Sequence, residues 1–161
     1  MTYGVRTTSG IATMSKEIVL GTCHHFNWFQ LGAAIKHPEK GKLIEINQAA
    51  SDETGVPDPN IRIMPIDGYG NQQLVREIMQ IEKPDGILFY TDPRQWQWLI
   101  EQEHEIRQHI PMIYYNVWDA PPPPHFNEQI YESCDTILNI SKQTHNLVKI
   151  VLGDGNYEEI Y

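Results

Sequence analysis

Pro84-Asp85-Gly86-Ile87-Leu88-Phe89-Tyr90-Thr91-Asp92-Pro93-Arg94 is the stretch on which the fold turns. Pro84 ends any helix before it, because proline has no N–H to donate and clashes with the preceding turn. Ile87 to Tyr90 then runs apolar without alternation. That pattern predicts a strand buried on both faces, as in a parallel sheet. Asp92 followed by Pro93 reads as a helix cap with proline at the first helical position, which predicts a helix over 93–109.

The same rhythm extends in both directions. Upstream, Ile61 to Ile66 is a predicted strand and Asp67-Gly68-Tyr69-Gly70 a turn. Asn71 to Lys83 is a helix with Leu74, Val75, Ile78 and Met79 at apolar spacing. Downstream, Met112 to Val117 is a second buried strand and Pro121 to Pro124 a rigid connector. Phe126 to Cys134 is a short helix, Thr136 to Ile140 a strand, and Ser141 caps a helix reaching about Leu152. Nearer the start, Ser9 caps a helix to about Cys23, with Ile11, Met14, Ile18 and Leu20 near one face. Trp28 to Ile35 and Leu43 to Ile46 are short strands, and 51–60 is a polar surface excursion. Strands separated by helices call for βαβ crossovers. The predicted fold is therefore α/β: one Rossmann-like domain over 1–152, a mostly parallel sheet with helices on both faces, and a tail over 153–161. It lacks an obvious first strand.

Composition narrows the function. The 161 residues carry 12 Lys and Arg against 21 Asp and Glu, a net charge of −9. A nucleic-acid binder neutralises phosphates with clustered basic residues, and no such cluster exists here. No run approaches the ~20 apolar residues of a membrane helix, and no apolar signal run opens the chain, so a cytoplasmic protein is expected. Cys23 and Cys134 have neither disulfide nor metal-ligand spacing, and the sequence requires no metal and no cofactor. Glu103-His104-Glu105-Ile106-Arg107-Gln108-His109 imitates a zinc-protease helix. Its histidines stand five apart, however, where the HExxH geometry needs four.

In open α/β sheets, ligands bind beyond the carboxyl ends of the strands. That rule singles out Thr91-Asp92-Pro93-Arg94, Asn116 to Ala120, and Ser141-Lys142, and within them Asp92 with Arg94 and Trp118 with Asp119. A carboxylate beside a guanidinium orients hydroxyls, although Asp92 as a helix cap with Arg94 in a surface ion pair explains the two residues equally well. An indole beside an acid suits a sugar, whose apolar face stacks while the carboxylate accepts its hydroxyl protons. Asp119 in that position is a candidate general base, the competing reading being a core Trp118 with Asp119 capping a turn before the prolines. Ser9 and Gly10, at a helix start, present backbone N–H groups that favour an anion. A plain capped helix explains them as well.

Three runs then carry a family resemblance. Asp92-Pro93-Arg94-Gln95-Trp96-Gln97-Trp98, Pro111-Met112-Ile113-Tyr114-Tyr115-Asn116-Val117-Trp118-Asp119 and Tyr131-Glu132-Ser133-Cys134-Asp135 through Ile140-Ser141-Lys142 resemble retaining glycosyltransferases of the GT-B type. The match is to their N-terminal, acceptor-side domain. Thr7-Thr8-Ser9-Gly10-Ile11-Ala12 resembles the glycine-containing loop that lies near the reacting sugar phosphate.

The resemblance implies a hexosyltransferase-like activity in which a nucleotide-sugar donor, held by a second Rossmann-like domain with paired glutamates, passes its sugar to an acceptor. Asp119 would be the catalytic residue, with Ser9, Gly10, Asp92, Arg94, Trp118 and Lys142 lining the cleft. No donor domain precedes Tyr161, so a fragment inactive by itself is expected, with an exposed sheet edge inviting a homo-oligomer. The competing expectation is a non-catalytic Rossmann-like module that binds a nucleotide, a sugar or a protein. A self-contained hydrolase is the weakest, for want of a nucleophile–base pair.

Overall fold

The computed structural model describes residues 10–33 and 38–155. They form a mixed α/β structure that divides into two compact units, Met1–Gly70 and Asn71–Tyr161. Instead of one continuous sheet there are two three-stranded sheets.

The first unit contains α1 (Gly10–Thr22), β1 (Trp28–Gly32), β2 (Ile44–Glu45), α2 (Asn47–Thr54) and β3 (Ile61–Pro65). β3 lies centrally, parallel to β1 and antiparallel to β2. The core here gathers Val19, Leu20 and Cys23 from the end of α1 with Ile46, Ala50, Ile61 and Ile63. Burial of α1 is thus confined to its last turns, and Ile11 and Met14, expected on the apolar face, are exposed.

The expected surface excursion over 51–60 is also corrected, because its first residues belong to α2. Ala50 anchors that helix in the core, and Asn47 accepts a hydrogen bond from the Ile61 N–H (2.8 Å). Gly55 ends it in the left-handed conformation that glycine adopts without strain.

The second unit carries α3 (Gln72–Glu82), β4 (Ile87–Tyr90), α4 (Gln97–Ile100), α5 (Glu103–Arg107), β5 (Met112–Asn116), α6 (Glu128–Glu132), β6 (Thr136–Asn139) and α7 (Lys142–Val151). Its sheet is all parallel, in the order β4-β5-β6. Asn71 caps α3 by accepting from Leu74 N–H (3.0 Å), and Ser141 caps α7 by accepting from Thr144 N–H (3.0 Å). The core joins Phe89, Met112 and Tyr114 from the sheet to Val75, Leu99, Ile100, Ile106, Ile130, Tyr131, Val148 and Val151 from the helices.

Two expectations change in this unit. β4 is an edge strand, and only Phe89 is fully buried, so its apolar run is not sandwiched on both faces. The single helix expected over 93–109 is broken into a 3-10 turn (Pro93–Trp96), α4 and α5. In one straight helix, Ile100 and Ile106 would point about 120° apart. The break at Glu101 and Gln102 lets both reach the core, where each is 1% exposed.

β5 is the central strand, and its Tyr114 stacks on Phe89 (centroids 4.9 Å apart) and, on its other side, on Tyr131 (6.4 Å). Burial pushes the Tyr114 phenol far above its ordinary range, so it stays a donor, and its hydroxyl bonds the Thr91 carbonyl at 3.0 Å. At the opposite end of the sheet, Asp135 accepts from Met112 N–H (2.8 Å) and from Arg107 (3.1 Å). These bonds, the Met112 N–H first, hold its carboxyl below the usual carboxylate range.

Both contacts can be tested by unfolding. Tyr114→Phe leaves the Thr91 carbonyl unpaired in the core and is expected to cost about 1–3 kcal/mol in urea unfolding. The Asp135 carboxyl is depressed in the folded state. Its contribution is therefore complete above the unfolded value of about 4 and is lost as pH falls through the folded value. Asp135→Asn should accordingly flatten the acid limb of a stability–pH curve without abolishing it, because Asp92 is depressed as well.

Candidate functional site

The carboxyl ends of β4, β5 and β6 lie side by side, since Tyr90 pairs with Tyr115 and Asn116 with Asn139. Beyond β4, Thr91 is buried at φ +98°, a conformation that β-branched residues rarely adopt. Asp92 follows. Its Oδ1 accepts from the Arg94 N–H (3.0 Å), and its carboxylate takes a two-pronged bond from the Arg94 guanidinium (2.9 and 2.5 Å). That guanidinium holds the Asp92 carboxyl below its usual range. Asp92 is thus both the helix cap and the ion partner, and both oxygens are engaged.

Beyond β5, Asn116 is fully buried and bridges two strand ends. Its amide donates to Asn139 Oδ1 (3.1 Å) and its Oδ1 accepts from Trp118 N–H (3.1 Å). The half-buried Trp118 indole packs on Leu147 and Ile150 of α7, and its Nε1 donates to the Ala120 carbonyl (2.9 Å). Exposed Phe126 meets the ring edge-to-face at 5.3 Å, and Arg94 Cζ lies 6.0 Å from the ring centroid, the outer limit of a cation–π contact. Asp119 is exposed and makes no hydrogen bond or ion pair with a described residue. Beyond β6, Lys142 is exposed at the first turn of α7.

The structure therefore brings Asp92, Arg94 and Trp118 into one contact set, with Asp119 adjoining it in the chain and Lys142 following the neighbouring strand. Gly10 belongs to the first unit. A Cβ built on it meets nothing within 4 Å among the described residues. Ser9 and the loop before it lie outside the described residues.

Sequence reasoning placed Asn116 in the strand-end segment but missed the buried polar layer it forms beneath this surface with Asn127 and Tyr131, with Asn139 at its rim. Asn127 is fully buried and donates to Tyr131 (3.4 Å), while its Oδ1 has no partner among the described residues. The signal was present, for Asn116 and Asn139 each end an otherwise apolar strand run.

Other polar groups are engaged elsewhere. Among the described residues no three His, Cys, Asp or Glu side chains gather to hold a metal ion. The Glu103 to His109 segment forms surface pairs, Arg107 with Glu103 (3.2 Å) and Asp135 (3.1 Å). Burial pushes the Cys134 thiol up to about 12, which keeps it protonated. A hollow of about 400 Å³ lies at the amino-terminal side of the same sheet, lined by Arg76, Met79, Lys83, Glu105 and His109. There Arg76 and Glu105 neutralise each other at 2.7 Å. No described helix is long and apolar enough to cross a membrane.

The chain matches no family model, no curated protein and no solved structure. The strain at Thr91 yields a test. Glycine there relieves a backbone cost of about 1–3 kcal/mol, set against roughly 1 kcal/mol of added unfolded-state entropy. Thr91→Gly is therefore expected to match wild type in urea unfolding or to exceed it by up to about 2 kcal/mol. A clear loss would show that the position stores no strain.

Proposed function

We propose that the chain is the acceptor-side half of a nucleotide-sugar-dependent, retaining glycosyltransferase of the GT-B type, with its parallel strands arranged as in a Rossmann-like domain. Two things support the reading. One is the resemblance of the Asp92–Trp98, Pro111–Asp119 and Tyr131–Lys142 runs to that family. The other, which carries it, is the set of groups at the carboxyl ends of β4 and β5: an indole flanked by Arg94 and followed by an exposed Asp119 that pairs with no described residue.

The indole stacks the apolar face of a sugar. Asp119, as general base, takes the proton of the acceptor hydroxyl as that oxygen bonds to the sugar's anomeric carbon and the bond from that carbon to the departing nucleoside diphosphate breaks. Arg94, held by Asp92, presents its remaining donors to hydroxyls on the same ligand, and Lys142 adds a positive charge towards the phosphates. The chain is expected to bind acceptor by itself and to need a donor domain for turnover, in a cytoplasmic setting.

A second reading, a binding module without catalysis, is favoured by one observation: Arg94, Asp119 and Lys142 at the strand ends are exposed, and the half-buried carboxylate beside them, Asp92, is fully committed to Arg94. Calorimetric titration with monosaccharides, disaccharides, nucleoside diphosphates and nucleotide sugars separates the two. The acceptor-side reading expects saccharide binding that weakens about tenfold or more, at least 1.4 kcal/mol, in Asp119→Ala with an unchanged melting temperature. Nucleotide binding without saccharide binding would support the module instead. Saccharide binding indifferent to Asp119→Ala would remove that residue from the site.

A further inference from the structure

Among the described residues β6 is, like β4, an outer strand of the second unit's sheet, and its sequence is that of an inner one. Thr136-Ile137-Leu138-Asn139-Ile140 has no charge, proline or glycine, the devices by which edge strands ordinarily avoid pairing. Its apolar side chains on one face are in solvent, with Leu138 44% and Ile140 42% exposed.

The backbone hydrogen-bond phase follows from the parallel ladder. Ile140 N–H donates to the Asn116 carbonyl on β5, so alternate residues Thr136 and Leu138 also bond inwards. Ile137 and Asn139 therefore turn their N–H and C=O groups outwards. Neither residue has an unassigned interaction that would occupy them.

We propose that this edge pairs with the same edge of a second copy, antiparallel across a two-fold axis, making one six-stranded sheet from two chains. The phase is self-complementary. With Leu138 opposite Leu138 of the second copy, each Ile137 faces the other copy's Asn139 as a hydrogen-bonded pair, giving four N–H···O=C bonds. Leu138 sits at the closely spaced non-bonded position, where the two side chains touch. A strand without charge has nothing to select a charged partner, and an isologous contact is the commonest way such a patch closes.

Pairing over so short a strand buries far less than the roughly 1,200–2,000 Å² of a stable complex. The dimer is accordingly weak and concentration-dependent. Each copy carries a net charge of −9, so added salt strengthens it by screening the repulsion between copies.

Sedimentation velocity from low to high micromolar concentration, at low and high salt, tests the proposal. Expected are a monomer–dimer equilibrium that shifts to dimer with salt and a loss of about tenfold or more in association for Leu138→Lys, whose exposed side chain leaves folding intact. Leu138→Cys, mildly oxidised at high concentration, should give a peptide joined to its own counterpart through the substituted position in mass mapping, because non-bonded antiparallel pairs lie within disulfide reach. A chain monomeric throughout overturns the proposal. So does a dimer indifferent to Leu138→Lys, or one cross-linked only through Cys134. Should the variants not fold, hydrogen exchange on the wild-type chain decides: Ile137 and Asn139 amides that exchange equally fast at low and high concentration overturn it as well.

Discussion

The hydroxyl of Tyr114 sits in a core that offers it one acceptor, the Thr91 carbonyl. A buried phenol without a partner is costly, and meeting that demand sets the path of the chain beyond β4. Thr91 must bring its carbonyl back towards β5, which puts it at positive φ. Asp92 then leaves the sheet at the right angle to cap the turn beginning at Pro93, and Trp96 closes the loop by donating to the Tyr90 carbonyl at 3.0 Å. The aromatic stack of Phe89, Tyr114 and Tyr131 keeps β4, β5 and α6 in the register that makes this possible.

A second constraint acts one strand further along. Asn116 ends β5 inside the protein, and its amide finds partners only if β6 ends level with it and the chain after it folds over. The Trp118 indole is thereby laid against α7 instead of swinging into solvent. The surface proposed to receive a ligand is thus a consequence of buried hydrogen-bond demands, which fix the indole and the Asp92–Arg94 pair. Asp119 and Lys142 are left exposed, bonded to no described residue.

The elements of the second unit were largely legible, because each strand is a compact apolar run and each long helix has a side-chain cap that sequence reveals: Asn71 and Ser141 bond as their positions imply. The misreadings share a cause. Whether Ile87 to Tyr90 is covered on both faces depends on neighbours that a run of four residues does not specify. The break at Glu101 depends on where Ile100 and Ile106 must point, a tertiary demand on a segment of good helix formers. α2 escaped notice because its one anchoring residue, Ala50, is small and its surface polar. At the site, the residue types at the strand ends were readable from the rule about carboxyl ends. The commitment of Asp92 to Arg94 and the amide layer of Asn116 and Asn139 were not, because they arise from pairs far apart in sequence or from side-chain geometry.

The division into two units has an optical corollary. Of the four tryptophans, Trp28 belongs to the first unit, its indole donating to Thr22 Oγ1 at 3.1 Å, while Trp96, Trp98 and Trp118 belong to the second. Indole emission depends on its polarity and hydrogen bonding, so Trp28→Phe would leave a chain whose fluorescence reports the second unit alone. Subtracting its denaturation trace from that of the wild type isolates the first. Whether the halves melt as one body or in succession can then be read from intrinsic light, without any label.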